Sequence, residues 1–572
     1  MTGDLGGGSA GGGAREWRDA TLARLAGERF DLLVVGGGAT GAGIARDAAL
    51  RGLTVALCER GDFAAETSSQ SSKLIHGGLR YLQYGDLRLV FEALHERRTL
   101  MHIAPHLCRP VEFVFPAYRG LSPGLHTLGL GIMLYNTLAL WRPPVGGRRV
   151  SPAALDQISP GLRRDGLAGA QIYVDCQTDD ARLVLETALD AERAGAAVAS
   201  ALTVTQLVRD RRGRVAGARV EVRETGARFP VEARMVVNAT GAFSDVFDRG
   251  RHHLRPTLGV HLVLGADRLP HGDRALVLRS PRDGRLVFLL PAGPRTLLGT
   301  TDTDWRPSDG ARRSPRPGDA IVARASDVEY LLEVANHAFP GAGLEPSDVI
   351  STFAGLRPLI AAAAHSTSST SREHDLFVEP DGLLTVVGGK LTTYRRMAAE
   401  VVDRAIDYLR DHGFEGRLAP STTASRPLPG GGGEPVSLGP VELAPEVERH
   451  LRQSYGSRAP DVVRTITRSD GGRAPGTSGV DLAARIDPEL PYLWGELVWA
   501  ALHERVGEID DVLARRTAIF RDARDQGLAV APRAASLVGD VLGWSDARRS
   551  RSLAAYQAKV ALSRAWRENA SP

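Results

Sequence analysis

The chain has 572 residues, 43% of them hydrophobic and 6% aromatic, enough for two or three domains around a large buried core. Its 71 Lys and Arg nearly balance 67 Asp and Glu, and a formal net charge of +4 excludes the dense basic surface of a nucleic-acid binder. Cys58, Cys108 and Cys176 stand isolated; this excludes a disulfide framework and a C-x-x-C zinc site, so no metal is expected and a reducing cytoplasm is the expected compartment.

Residues 1–26 open with Gly6–Gly8 and Gly11–Gly13 and read as a flexible tail, since no charged segment followed by an apolar one suggests a signal peptide. The apolar run Leu32–Val35 then meets Gly36, Gly38 and Gly41 in G-x-G-x-x-G spacing, followed by a helix from Gly43. Glycines there permit positive φ and let backbone amides approach a pyrophosphate at the positive end of the helix dipole. A second apolar strand, Thr54–Leu57, ends at Glu59, roughly 20 residues on, where an acid takes ribose hydroxyls. The unit reads as a dinucleotide site. The next loop, with Thr67, Ser68, Ser69 and Ser72, offers hydroxyls and amides to phosphate and flavin heteroatoms.

Gly120–Trp141 contains no Asp, Glu, Lys or Arg, but Ser122, Pro123, Gly124, His126, Thr127 and Asn136 dilute it, so a buried or interfacial helix is expected rather than a span. Arg119, Arg142, Arg148 and Arg149 flank it as lipid-headgroup contacts. Asp179–Ala194 has a helical pattern, Thr203–Val208 and Val215–Val222 form a hairpin, and Arg234–Val237 is a buried strand running into a second small-residue turn at Gly241. Alternating strands between Arg255 and Ser351 suggest a mixed-sheet roof. Leu383–Val387 leads to Gly389, Lys390, Leu391 and Thr392 and a helix from Tyr394 to Leu409. A second and third turn suit FAD, which is held along a longer path than NAD.

The expected domains are a FAD-binding unit (27–105, 170–250 and 350–412), a roof (106–169 and 251–349), a linker (413–440) and a helical C-terminal domain (441–572).

The runs SSKLIHGGLRYL, GTTDTDW, GLRPL, SREH and GGKLTTYRRMA, in that order, resemble the FAD-dependent, aerobic-type glycerol-3-phosphate dehydrogenases. The similarity covers about residues 30–565, including Asp510–Thr517; Ala242–Phe243 stands where many family members carry Pro-Trp. The resemblance implies an α/β (α+β) fold with a Rossmann-like FAD domain of the glutathione-reductase/D-amino-acid-oxidase type, interleaved with the mixed-sheet roof. It also implies oxidation of glycerol 3-phosphate to dihydroxyacetone phosphate, hydride passing from C2 to flavin N5, and electrons passing to membrane quinone from a peripheral position on the inner face of the cell membrane.

Chemically, a phosphate dianion needs fixed cations. Arg80, Tyr81 and Arg372 are assigned to its end, with Lys390 offsetting charge on substrate and reduced ring. Loss of the C2 hydroxyl proton needs a base or an alkoxide-stabilising cation; His261 is the first candidate, with Arg357 and His76 as alternatives. FAD is expected noncovalent, since no His or Cys tether stands out. The residues leave three matters open: O2 against quinone as acceptor, a non-catalytic flavin sensor, and a homodimer.

Overall fold

A computed structural model of the chain describes residues 10–247, 254–306, 315–360, 374–433, 437–439, 442–467 and 480–568. The strand Arg29–Val35 has its last four residues buried, the continuous apolar pattern of a strand covered on both faces. It pairs in parallel with Val55–Cys58 on one side and Arg228–Asn238 on the other. The sheet continues outward to Ala197–Ala199 at one edge and to Leu384–Gly388 and His374–Val378 at the other, and the hairpin Leu202–Arg209/Val215–Val222 joins Arg228–Asn238. The helices Ala39–Arg51, Asp180–Arg193 and Tyr394–Asp411 contribute to one core against it, including Ile44, Ala48, Leu183, Ala188, Val401 and Val402. Asp179 caps the second of these by accepting from the Arg182 N–H.

A second sheet of ten strands forms the roof. Its long pair is Cys108–Tyr118 antiparallel to Leu167–Thr178. Thr257–Gly265, wholly buried, lies between Arg295–Gly299 and Ser351–Arg357. Ala275–Arg279 runs parallel to Cys108–Tyr118, so the sheet is mixed, as expected. The C-terminal domain is helical, with its own core around Trp494, Leu497, Val512, Val538 and Tyr556.

Three sequence expectations change. The supposed tail contains a helix, Ala10–Gly27, whose Leu25 is fully buried against Phe30, Ala197 and Val236 of the first sheet. Leu74–Ile75, Leu167–Thr178 and Ser351–Arg357 belong to the roof sheet, because their hydrogen-bonding partners lie there, so the boundaries at 170 and 350 shift. The expected linker is packed onto the first domain over residues 419–431: Ala419 N–H donates to Arg51 O at 2.9 Å, and Leu428 N–H to Ile103 O at 2.8 Å. The uncharged segment is a helix, as expected, over Leu125–Leu138, with Leu125, Leu128, Ile132 and Tyr135 buried and Leu130 63% exposed. Among the described residues no helix is long and apolar enough to cross a membrane.

Candidate active site

The glycine turn is built where three strands end in register, Val35 opposite both Cys58 and Asn238. Gly36 has φ +107°, and a Cβ there would lie 2.7 Å from the Ala239 carbonyl oxygen. Gly38 precedes the helix Ala39–Arg51 with no side-chain cap of its own. The Ser68 hydroxyl comes to this helix end and accepts from Ala39 N–H at 3.0 Å, leaving first-turn amides aimed at an anion. Glu59 accepts from Gly37 N–H at 2.6 Å and Gly61 N–H at 2.7 Å. Burial pushes its carboxyl above the usual range, while those two amides and Arg60 pull the other way. A group so oriented suits ribose hydroxyls.

One cavity runs from this turn to the roof. Its wall includes the expected Gly36, Gly38, Glu59, Thr67, Ser68, Ser72 and Gly241, then His76, Tyr81, His261, Arg357, Gly389, Lys390, Leu391 and Thr392. Three of the expected contact residues do not line the cavity. Gly41 is a packing glycine, since a Cβ there would meet the Gly36 carbonyl at 1.8 Å. Ser69 turns inward, donating to Glu66 O at 3.4 Å. Arg80 does not line the cavity; it sits in the tight turn Leu79–Tyr84, where its neighbour Tyr81 takes the wall position. Arg372 lies outside the described residues.

At the roof end, Arg357 is fixed from three directions: it donates to Thr300 Oγ1 at 2.9 Å, Thr301 O at 3.0 Å and Asp302 Oδ1 at 3.1 Å. His261 Nε2 lies 2.9 Å from Ser72 Oγ, and its ring stacks on Phe353 at 4.6 Å between centroids. Burial, with Arg357 and Lys73 adding to it, holds the imidazole well below its ordinary pKa, so it is neutral. Its Nδ1 is buried and without a hydrogen-bond partner among the described residues. The Lys390 ammonium stands 3.8 Å over the Tyr81 ring. His76 is clasped through its main chain, its N–H donating to Thr392 Oγ1 at 3.1 Å and its carbonyl accepting from the same hydroxyl at 3.3 Å.

Several supporting residues were not anticipated. Lys73, at φ +56°, reaches Asp180 at 2.6 Å, and Asp180 also accepts from Ser71 N–H and Oγ, which pins the Ser-rich loop to the start of Asp180–Arg193. The acidic pair opening that helix was the available signal. Arg60, over the Phe243 ring at 4.4 Å, stands near the adenosine end; both line the cavity. From the C-terminal domain, Arg515 and Arg516 both bind Asp62, in the loop that follows Glu59.

A parallel sheet with a glycine turn and a ribose acid, sharing one long cavity with a cation-bearing roof, defines a two-domain FAD oxidoreductase. Residues 31–404 match the family described as FAD dependent oxidoreductase, and 421–549 match the C-terminal domain of alpha-glycerophosphate oxidase. A glycerol-3-phosphate dehydrogenase of Mycobacterium leprae is 36% identical over 556 residues, covering 95% of this chain and 90% of that protein. An aerobic glycerol-3-phosphate dehydrogenase of Staphylococcus haemolyticus is 33% identical over 518 residues, 87% of this chain and 88% of its own. The solved glycerol-3-phosphate dehydrogenase of Bacillus halodurans complexed with FAD superposes with a TM-score of 0.74 at 28% identity, covering 97% of this chain and 98% of that one. The chain belongs to the FAD-dependent glycerol-3-phosphate dehydrogenase family, and its cofactor is FAD.

Proposed function

We propose that this protein oxidises sn-glycerol 3-phosphate at C2 to dihydroxyacetone phosphate and passes the electrons to quinone at the inner face of the cell membrane. The observation that carries the reading is the convergence of Arg357, Lys390, Tyr81 and His261 at the roof end of the FAD cavity. FAD, noncovalently bound, supplies a hydride acceptor at N5. Arg357, held rigid by Thr300, Thr301 and Asp302, offers a fixed positive charge to the oxygen on C2. Lys390 and Tyr81 meet the phosphate dianion. His261, neutral, accepts the hydrogen bond of the C2 hydroxyl. Its depressed pKa makes it a weak base at rest, so the proton moves to it as hydride departure acidifies the hydroxyl.

Membrane docking is supported by the clustering of exposed apolar side chains. Leu130, Met133 and Trp141 are 63%, 53% and 58% exposed, and Tyr84, Leu87 and Phe91 of the adjoining segment are also exposed. Helix Leu87–Ile103 packs beside Leu125–Leu138, with Arg142, Arg148 and Arg149 nearby in sequence. The test is turnover of glycerol 3-phosphate in air with and without a soluble quinone. Quinone reduction far exceeding peroxide release is expected; one peroxide per substrate, insensitive to quinone, would make the protein an oxidase.

A further inference from the structure

A second cavity, of about 380 Å³, lies where the N-terminal helix, the far edge of the FAD sheet and the C-terminal domain meet, within the size range of small-ligand sites. Its walls include Trp17, Arg18, Ser200, Arg505, Trp544 and Arg548, none of which lines the FAD cavity. Arg18 donates to the Ser200 carbonyl at 2.8 Å and pairs with Glu224 at 3.1 Å. Arg505 pairs with Glu192 at 2.9 Å and lies 3.7 Å over the Trp17 ring, and its backbone is held at φ +58°, a conformation L residues rarely adopt. Arg548 differs from both. Its guanidinium lies 4.7 Å over the Trp544 ring and donates to the Gly507 carbonyl at 3.1 Å, and among the described residues no carboxylate forms an ion pair with it. Burial pushes its pKa down, only partly opposed by Glu224, which also lines the cavity, and by Glu508, while Arg18 and Arg551 add to the depression.

A half-buried guanidinium with no ion-pair partner among the described residues favours an anion, and the planar fork matches phosphate oxygens. The partly exposed Trp17 indole in the same wall provides stacking surface for a flat ring, while Trp544, 5% exposed, backs the Arg548 guanidinium. We propose that this cavity is a ligand site separate from the FAD cavity and takes an aryl phosphate of mononucleotide size, its phosphate on Arg548 and its ring against Trp17. The site adjoins the cofactor's support, because the Ala199 carbonyl, one residue before Ser200, accepts from Glu59 N–H, and Leu202 N–H donates to Glu59 O, both at 2.8 Å.

The probe is AMP, titrated into the FAD-loaded full-length protein while tryptophan fluorescence, calorimetric heat and released flavin are followed together. Saturable binding with no flavin release is expected, weaker binding of inorganic phosphate, and a loss of about tenfold or more in Arg548→Gln, as for removal of one charge-assisted phosphate contact. Flavin content and glycerol 3-phosphate turnover should stay unchanged in that variant, and Trp17→Leu should weaken AMP but not phosphate. The proposal is overturned if AMP gives no saturable signal, if it binds Arg548→Gln as tightly as the parent, if FAD leaves in step with AMP, or if inorganic phosphate binds equally well.

Discussion

Asp62→Asn tests how the C-terminal domain supports the cofactor site. Asp62 follows Glu59 by three residues, and its carboxylate accepts from Arg515 Nε at 2.5 Å and from Arg516 at 2.8 Å. All three side chains are no more than 4% exposed. Burial alone would push the Asp62 carboxyl up, but Arg516 and Arg515 override it and hold it below the usual range, so it is charged at neutral pH. Removing that charge leaves Arg516 with the Glu504 carboxylate at 3.8 Å, while Arg515 keeps Asp510 at 2.8 Å and Asp511 at 2.7 Å, and losing one partner of a buried pair costs about 3–5 kcal/mol. Since the amide retains shape and one acceptor oxygen, about 3 kcal/mol is expected from urea unfolding followed by tryptophan fluorescence. The 59–66 loop walls the FAD cavity through Arg60, Ala64, Ala65 and Glu66, so flavin affinity should fall as well. If the whole loss appeared in binding it would be on the order of a hundredfold, which sets the ceiling for the measured change in Kd. Combining Asp62→Asn with Arg516→Met should recover more than about 1 kcal/mol by removing one stranded cation. A single-variant loss below about 0.5 kcal/mol, the size of a surface substitution, would refute the buried-clamp reasoning.

Gly36→Ala should purify with a markedly lower flavin-to-protein absorbance ratio, because a Cβ at φ +107° meets the Ala239 carbonyl at 2.7 Å and such strain costs about 1–3 kcal/mol. His261→Gln should keep its flavin yet lose about 10²–10⁴-fold in turnover, the usual share of a positioned base; near-parental turnover in steady-state assays would remove His261 from the chemistry. The ring nitrogens of the half-buried His106 are shielded from solvent and not hydrogen-bonded among the described residues, and burial, with Arg458, Arg182 and Arg109, depresses its pKa from 6.5 to about 3. Below pH 6.5 the unfolded chain therefore binds the extra proton, so this group's stability contribution is intact above 6.5 and is lost as pH falls toward 3. His106→Gln should show a shallower decline of urea midpoint than the parent across that window.

The cofactor turn was legible because its constraints are local: Gly36 must adopt positive φ, and Glu59 lies at the spacing set by one strand–helix–strand unit. His261, Arg357 and Lys390 were found through their motifs, but the partners that fix them were not. Arg357 meets Thr300 and Asp302 only because Ser351–Arg357 and Arg295–Gly299 flank the same strand, a register no single sequence reveals. Asp62 and Arg516 are 454 residues apart, beyond any periodicity argument. The N-terminal helix was misread because Gly11–Gly13 have poor helix propensity, which tertiary packing of Leu25 overrides. Glycines of the supposed linker serve close approach instead: a Cβ on Gly431 would sit 2.2 Å from the Ile103 carbonyl.

The central claim is that the cations at the roof end present glycerol 3-phosphate to the flavin. Anaerobic titration of the FAD-loaded protein with glycerol 3-phosphate tests it directly. Bleaching of the oxidised-flavin band to completion, with one dihydroxyacetone phosphate formed per flavin reduced, is the result predicted, and glycerol without the phosphate should leave the band intact. A flavin that remains oxidised at saturating glycerol 3-phosphate, or that is bleached equally by glycerol, would contradict it.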